Sequence, residues 1–237
     1  MSSVSYQAVA AVDVATRDRA RAHQVLDAII HRAVLRDLDR LTVVLATPVT
    51  AVRRAALIGH ATFLATELYR HHRVEDEVLW TRAVVRDPEV AARAEQLRHE
   101  HRDSDRLAAA MTTAAQAWAV GGGARGRLNL RMAAAEVSTS LAPRLAREEA
   151  TAMPLACAVL AADDWAAVAR ATPRPRRPTT LAREVFWLLD ELDGGRAAML
   201  LARMNPLRVW VLRNGFSGAY NRGSYLMWVG GGLGPRV

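Results

Sequence analysis

Lysine is absent from this 237-residue chain, and all 32 of its Lys and Arg positions are arginine. Such usage, beside abundant alanine, reads as composition bias rather than selection for a polyanionic partner. Net charge is +8, but no Arg-rich stripe or base-reading motif accompanies it, so no nucleic-acid partner is expected. Cysteine is nearly absent too. The lone Cys157 excludes an internal disulfide framework. Aromatics make up only 5% and β-branched runs are short, which leaves little from which to build sheets. No apolar run reaches the roughly 18 residues of a membrane-spanning helix. The segment Met1-Ser2-Ser3-Val4 lacks the basic-then-apolar pattern of a leader. No membrane partner and a cytoplasmic location are therefore expected.

What is present is helix-forming. Apolar residues are 51% of the chain, many of them alanine, the best helix former. Between Thr16 and Ala46 they recur at helical spacing, and Thr47-Pro48 ends the run. A second helix is predicted from Thr50 to Val85, broken at Arg86-Asp87-Pro88. A third follows with Asp87 as its cap and runs to Trp118, before the flexible Gly121-Gly122-Gly123. A fourth extends from Arg127 to Ala152, with a kink expected at Pro143. Four long amphipathic helices on short loops predict an all-α, antiparallel up-down four-helix bundle with a C-terminal helical extension. The expected organisation is a bundle with a short helix over 14–171, a basic Pro-rich linker over 172–179, and an aromatic-rich helical extension over 180–230. Trp187, Trp210, Tyr220, Tyr225 and Trp228 crowd that last segment, which suggests packing on the bundle or a homodimer through it.

Residues four apart on a helix share a face. His31 lies in line with Leu35, Leu38 and Leu45. Glu67, His71 and Glu75 form one column on the second helix, and His60 lies about three turns earlier on the same face. His101 aligns with Leu97 and Ala108, while Arg144 and Glu148 align with Val137 and Leu141. Each of the four helices thus places a titratable group on its apolar face. Buried charges are costly unless paired or bound to metal, and imidazoles with carboxylates in a bundle core suit iron or manganese. His23, His72, Asp76, Glu77 and His99 read instead as solvated positions.

These residues carry a family resemblance. His31-Arg-Ala-Val-Leu-Arg-Asp-Leu resembles the first ligand helix of the hemerythrin-like (HHE cation-binding) family. His71-His72-Arg-Val-Glu75-Asp-Glu-Val-Leu-Trp80 resembles its HxxxE pair, with Thr81 where proline is usual. Glu100-His101 resembles the third-helix ligand, and Arg144-Leu-Ala-Arg-Glu148-Glu149 the fourth-helix motif. The resemblance covers about residues 20–170. It implies two irons, one held by His31 and His71 with Glu75 and Glu148 or Glu149 bridging, the other by His101 and a fourth-helix His. Arg144 stands at that last position, and Leu97 stands where some members carry a further His.

The resemblance therefore implies a non-haem iron site, mono- or dinuclear, that handles O2, NO or peroxide, with His60 and Glu67 lining it. The alternative is a metal-free enzyme acting on a small organic substrate. There Glu67 and His60 would serve as acid and base and Arg144 would stabilise an oxyanion, or Arg144 would pair with Glu75 or Glu148.

Overall fold

A computed structural model describes residues 14–172 and 177–228, and every regular element among them is helical. Residues 173–176 of the predicted linker and residues 229–237 lie outside the described residues. The four long helices are α1 (Val14–Val44), α2 (Ala51–Val74), α4 (Ala91–Gly121) and α5 (Gly123–Arg147). Shorter helices follow as α3 (Trp80–Arg86), α6 (Met153–Val159) and α7 (Ala162–Ala171). The C-terminal segment adds α8 (Pro178–Leu189), α9 (Gly194–Ala202), α10 (Pro206–Gly215) and α11 (Ser217–Trp228). None of the described helices is long and apolar enough to cross a membrane.

The punctuation has local causes. Thr50 caps α2 by accepting from the Arg53 N–H. Asp87 accepts from the Glu89 N–H and Pro88 opens the single 3-10 turn before α4. Gly122 and Gly123 carry φ of +59° and +71°, a backbone that side chains disfavour, and so Gly122 alone separates the end of α4 from the start of α5. Helix α5 runs on through Pro143 as far as Arg147.

Two wide π turns interrupt otherwise continuous rods. Glu75–Leu79 joins α2 to α3, and Glu148–Ala152 joins α5 to α6. In each, the carbonyl of the glutamate accepts from the N–H five residues on, at Trp80 and at Met153. The Thr81 hydroxyl donates to the freed Asp76 carbonyl at 2.9 Å, a bond that a proline at 81 could not make. Such turns rotate the helix face by a fraction of a turn and recur at functional sites.

Around the long helices the apolar core is in two parts. One joins Val34 to Leu45, Leu57 to Leu68, Ala108 to Trp118 and Leu130 to Leu145. The other joins Leu79 to Leu97 and Ala152 to Val168, with Ala20. Helices α1 and α4 run from the second part to the first, while α2 and α5 run back. Between them each of the four rods carries a short polar stretch.

The C-terminal segment docks on this body rather than standing apart. Trp187 and Trp228 are 2% and 1% exposed and join the first core part. Asp37 on α1 is the anchor. Its carboxylate accepts from His60 Nε2 at 2.7 Å, from Trp187 Nε1 at 3.1 Å and from Arg36 Nε at 2.8 Å. Arg40 bridges it to Asp190 with bonds of 3.1 and 2.5 Å. Burial would raise the Asp37 carboxyl, but the His60 bond and the Arg36 guanidinium outweigh it and hold the group below the carboxylate range. Trp210 and Tyr225 of the same segment stay exposed.

Candidate metal centre

The polar layer between the two core parts is built from α1, α2, α4 and α5. Asp27 and His31 come from α1, His71 and Glu75 from the end of α2, His101 from α4 and Glu148 from the end of α5. Both carboxylates at helix ends, Glu75 and Glu148, are the first residues of the π turns. Residues Asp27, His31, Glu75, His101 and Glu148 are 1–4% exposed, and the His71 side chain is 8% exposed.

Their ligating atoms converge. His71 Nε2 lies 3.0 Å from His31 Nε2 and 3.4 Å from Glu75 Oε1. His101 Nε2 lies 3.5 Å from Glu75 Oε2 and 4.0 Å from Glu148 Oε2. Two triads have all ligand atoms within 4.8 Å of one another: Asp27, His71 and Glu75, and Glu75, His101 and Glu148. Glu75 belongs to both, with one oxygen toward each.

Hydrogen bonds do not satisfy these atoms. Asp27 Oδ2, both Glu75 oxygens, His101 Nε2 and Glu148 Oε1 are buried without a hydrogen bond. A buried polar atom left unpaired costs about 1–3 kcal/mol, so five at one spot call for a cation. The far sides of two imidazoles are held by carboxylates. His31 Nδ1–H donates to Glu149 at 2.8 Å and His101 Nδ1–H to Asp76 at 2.7 Å, which turns each Nε2 inward. A carboxylate behind a ligating imidazole is the usual support of a metal-bound histidine. Mixed nitrogen and oxygen donors suit iron, manganese or zinc.

Without a cation the cluster holds extra protons. Burial, with Glu148 adjacent, pushes the carboxyls of Glu75 and Asp27 well up. Burial also opposes ionisation of Glu148, but His101, His31 and His71 outweigh it and hold that group below the usual range. Burial and His31 drive His71 well below its ordinary value, into the neutral form that ligates metals. For His101 burial is outweighed by Asp76 and Glu148, which raise it to about 9.

A cavity of about 160 Å³ opens beside the first triad, with Asp27, His71 and Glu75 on one side and Glu184, Trp187 and Leu188 of α8 on the other. The C-terminal segment thus walls the approach to the site. Glu67 lines this cavity, where Arg70 pairs with it at 2.8 Å and with Glu184 at 3.0 Å.

Several sequence expectations need correction. His60 is not beside this cluster. It shares a helix face with His71 but lies about 16 Å away along the axis, bound to Asp37. Arg144 pairs with neither Glu75 nor Glu148. It crosses to α4, donating to the Glu100 carbonyl at 2.7 Å and Ser104 Oγ at 3.1 Å. Glu149 points at His31 with 42% of its side chain exposed, rather than between the two triads. His60, Glu67 and Arg144 therefore share no single acid–base site. His72, expected in solvent, is buried, stacks on His101 at 4.2 Å and bonds Asp105 at 2.7 Å. His99 and Glu77 are exposed, in line with their spacing.

His23 and Asp76, read from spacing as solvated, instead bond members of this layer, and Asp27 is a member that the sequence reading does not name. His23 Nε2 lies 3.3 Å from Asp27 Oδ2, and burial with Arg203 lowers its imidazole to about 4. The signal was available: His23, Asp27 and His31 are spaced by four, as Glu67, His71 and Glu75 are.

Among curated proteins and among solved structures, none matches the chain. A family model described as the hemerythrin HHE cation binding domain matches residues 17–156, which span every residue of both triads.

Proposed function

The chain belongs to the hemerythrin HHE cation-binding family, and from that premise we propose that it holds a carboxylate-bridged pair of non-haem iron ions which handle O2, NO or peroxide. The helices α1, α2, α4 and α5 form the family's antiparallel four-helix bundle in this reading, with α8–α11 as its extension. Asp27, His31, His71 and Glu75 would hold one ion, and Glu75, His101 and Glu148 the other. The observation that carries the reading is the set of buried, unpartnered ligand atoms around the shared Glu75.

Iron bound there supplies open coordination positions for a diatomic or a peroxide. The protein's own groups set the conditions. Asp76 and Glu149 fix the imidazole tautomers, while Glu75 gives up its proton when a cation arrives. Arg144 stands in the place of a fourth-helix imidazole, so the second ion would have fewer protein ligands than the first. Leu188 and Trp187 limit access to small molecules through the 160 Å³ cavity.

The test is optical and magnetic. Protein reconstituted with ferrous iron under argon is exposed to NO and then, separately, to O2. A new visible absorption with either gas, absent in His71→Ala, supports the reading. Iron-loaded protein whose spectrum neither gas alters contradicts the redox role, whatever its metal content.

A further inference from the structure

A second cavity, of about 420 Å³, lies on the far side of the Asp37 network, between α2 and the C-terminal helices α8 and α11. Its size is in the usual range of small-molecule sites, roughly 300–1,000 Å³. Its walls combine broad aromatic faces with places where side chains are missing. Phe63 and Trp187 meet edge to face at 5.1 Å, and Tyr220 stands nearby on α11. Gly59 on α2 and Gly223 on α11 also line it, and a Cβ added at either would meet nothing within 4 Å. The result is a cavity with aromatic walls and room for a ring.

Three polar groups have spare capacity there. His60 Nε2–H is committed to Asp37 at 2.7 Å, which in the neutral ring leaves Nδ1 as an acceptor. That Nδ1 is buried without a partner, as is Ser224 Oγ; the two residues are 4% and 1% exposed and both line the cavity. At the mouth, Arg183 lies over the Phe63 ring at 4.0 Å. No carboxylate among the described residues comes within ion-pair distance of it, and its one bond is a 3.4 Å contact to the Gly59 carbonyl. An apolar cavity with an inner acceptor and an outer cation defines a ligand class.

We propose that this cavity binds a planar aromatic acid that carries one N–H or O–H donor. The ring stacks among Phe63, Trp187 and Tyr220, the donor meets His60 Nδ1, and the acid group meets Arg183. Asp37 links the cavity to Arg40 and Trp187, so an occupant bears on the contacts that dock the C-terminal segment. The proposal is independent of the metal reading.

Indole-3-acetate is a suitable probe, because it offers a ring, an N–H and a carboxylate. Its control is naphthalene-1-acetate, which lacks the N–H. Binding to the full chain is measured by calorimetry in chelator, so that the metal centre plays no part. Saturable binding at one site is expected, weakened about tenfold for the naphthalene acid and about tenfold by Arg183→Leu. Gly223→Leu fills the cavity and should abolish binding with an unchanged melting temperature. If that variant fails to fold, Gly59→Leu applies the same block from α2. Absence of saturable binding, equal binding of the two acids, or binding undiminished in the filled-cavity variant would overturn the proposal.

Discussion

Replacing Glu75 by Gln separates a metal ligand from a structural ion pair by the sign of its effect. The Glu75 side chain is 2% exposed, and neither oxygen has a hydrogen-bond partner. Burial and the neighbouring Glu148 and Asp27 raise its carboxyl well above the ordinary value, so the metal-free chain holds it protonated at a cost. Gln has nearly the same shape and needs no proton. The metal-free variant should therefore be as stable as wild type or more stable, by up to about 1–3 kcal/mol. For a chain of this length that is roughly 2–4 °C of melting temperature per kcal/mol. With metal the order reverses. At a metal concentration a hundredfold above the dissociation constant, wild type should gain about 2.7 kcal/mol. The variant should gain almost nothing, because Glu75 serves both triads. Scanning calorimetry of both proteins, with chelator and with ferrous iron, reads all four values. Were Glu75 a structural partner of His101, the metal-free variant would lose about 3–5 kcal/mol, and that result would refute the reasoning.

Other outcomes follow from the same geometry. Arg144→Gln should leave metal content unchanged, since the guanidinium reaches Glu100, Ser104 and Asp103 and not Glu75 or Glu148. A variant that binds metal where wild type binds none would show instead that Arg144 takes the place of the cation. Metal affinity should rise with pH up to about 9, by tenfold per unit or more, because His101, Glu75 and Asp27 must release protons to ligate. Chelator competition at several pH values checks the slope, and a flat profile contradicts it. In the metal-free chain the sign is opposite. The raised His101 stabilises the fold fully below its ordinary 6.5, and that contribution is lost as pH rises through about 9. Asp37→Ala leaves His60, Trp187, Arg36 and Arg40 short of their shared acceptor, and should cost about 3–5 kcal/mol in thermal melts; a loss under about 1 kcal/mol would contradict that role.

Much of this was legible in the sequence because helix boundaries are written locally. Thr50, Asp87-Pro88 and the glycines at 122 and 123 act through their own backbones, so their positions and the helix limits agree closely. The convergence of His31, His71, Glu75, His101 and Glu148 followed from face and spacing. Height along the axis did not follow, which is why His60 was grouped with His71 when it belongs to Asp37. The π turns at Glu75 and Glu148 have no compositional mark, and they shift which neighbours face inward, as Asp76 and Glu149 show. Asp190 and Asp37 lie more than a hundred residues apart, and no periodicity within one segment could pair them through Arg40.

Metal content decides the central matter most directly. Protein purified without chelator, then reconstituted anaerobically with ferrous iron and desalted, should carry two irons per chain by elemental analysis, and Glu75→Gln should carry next to none. A wild-type chain that comes through the same treatment folded and free of metal would contradict the metal centre.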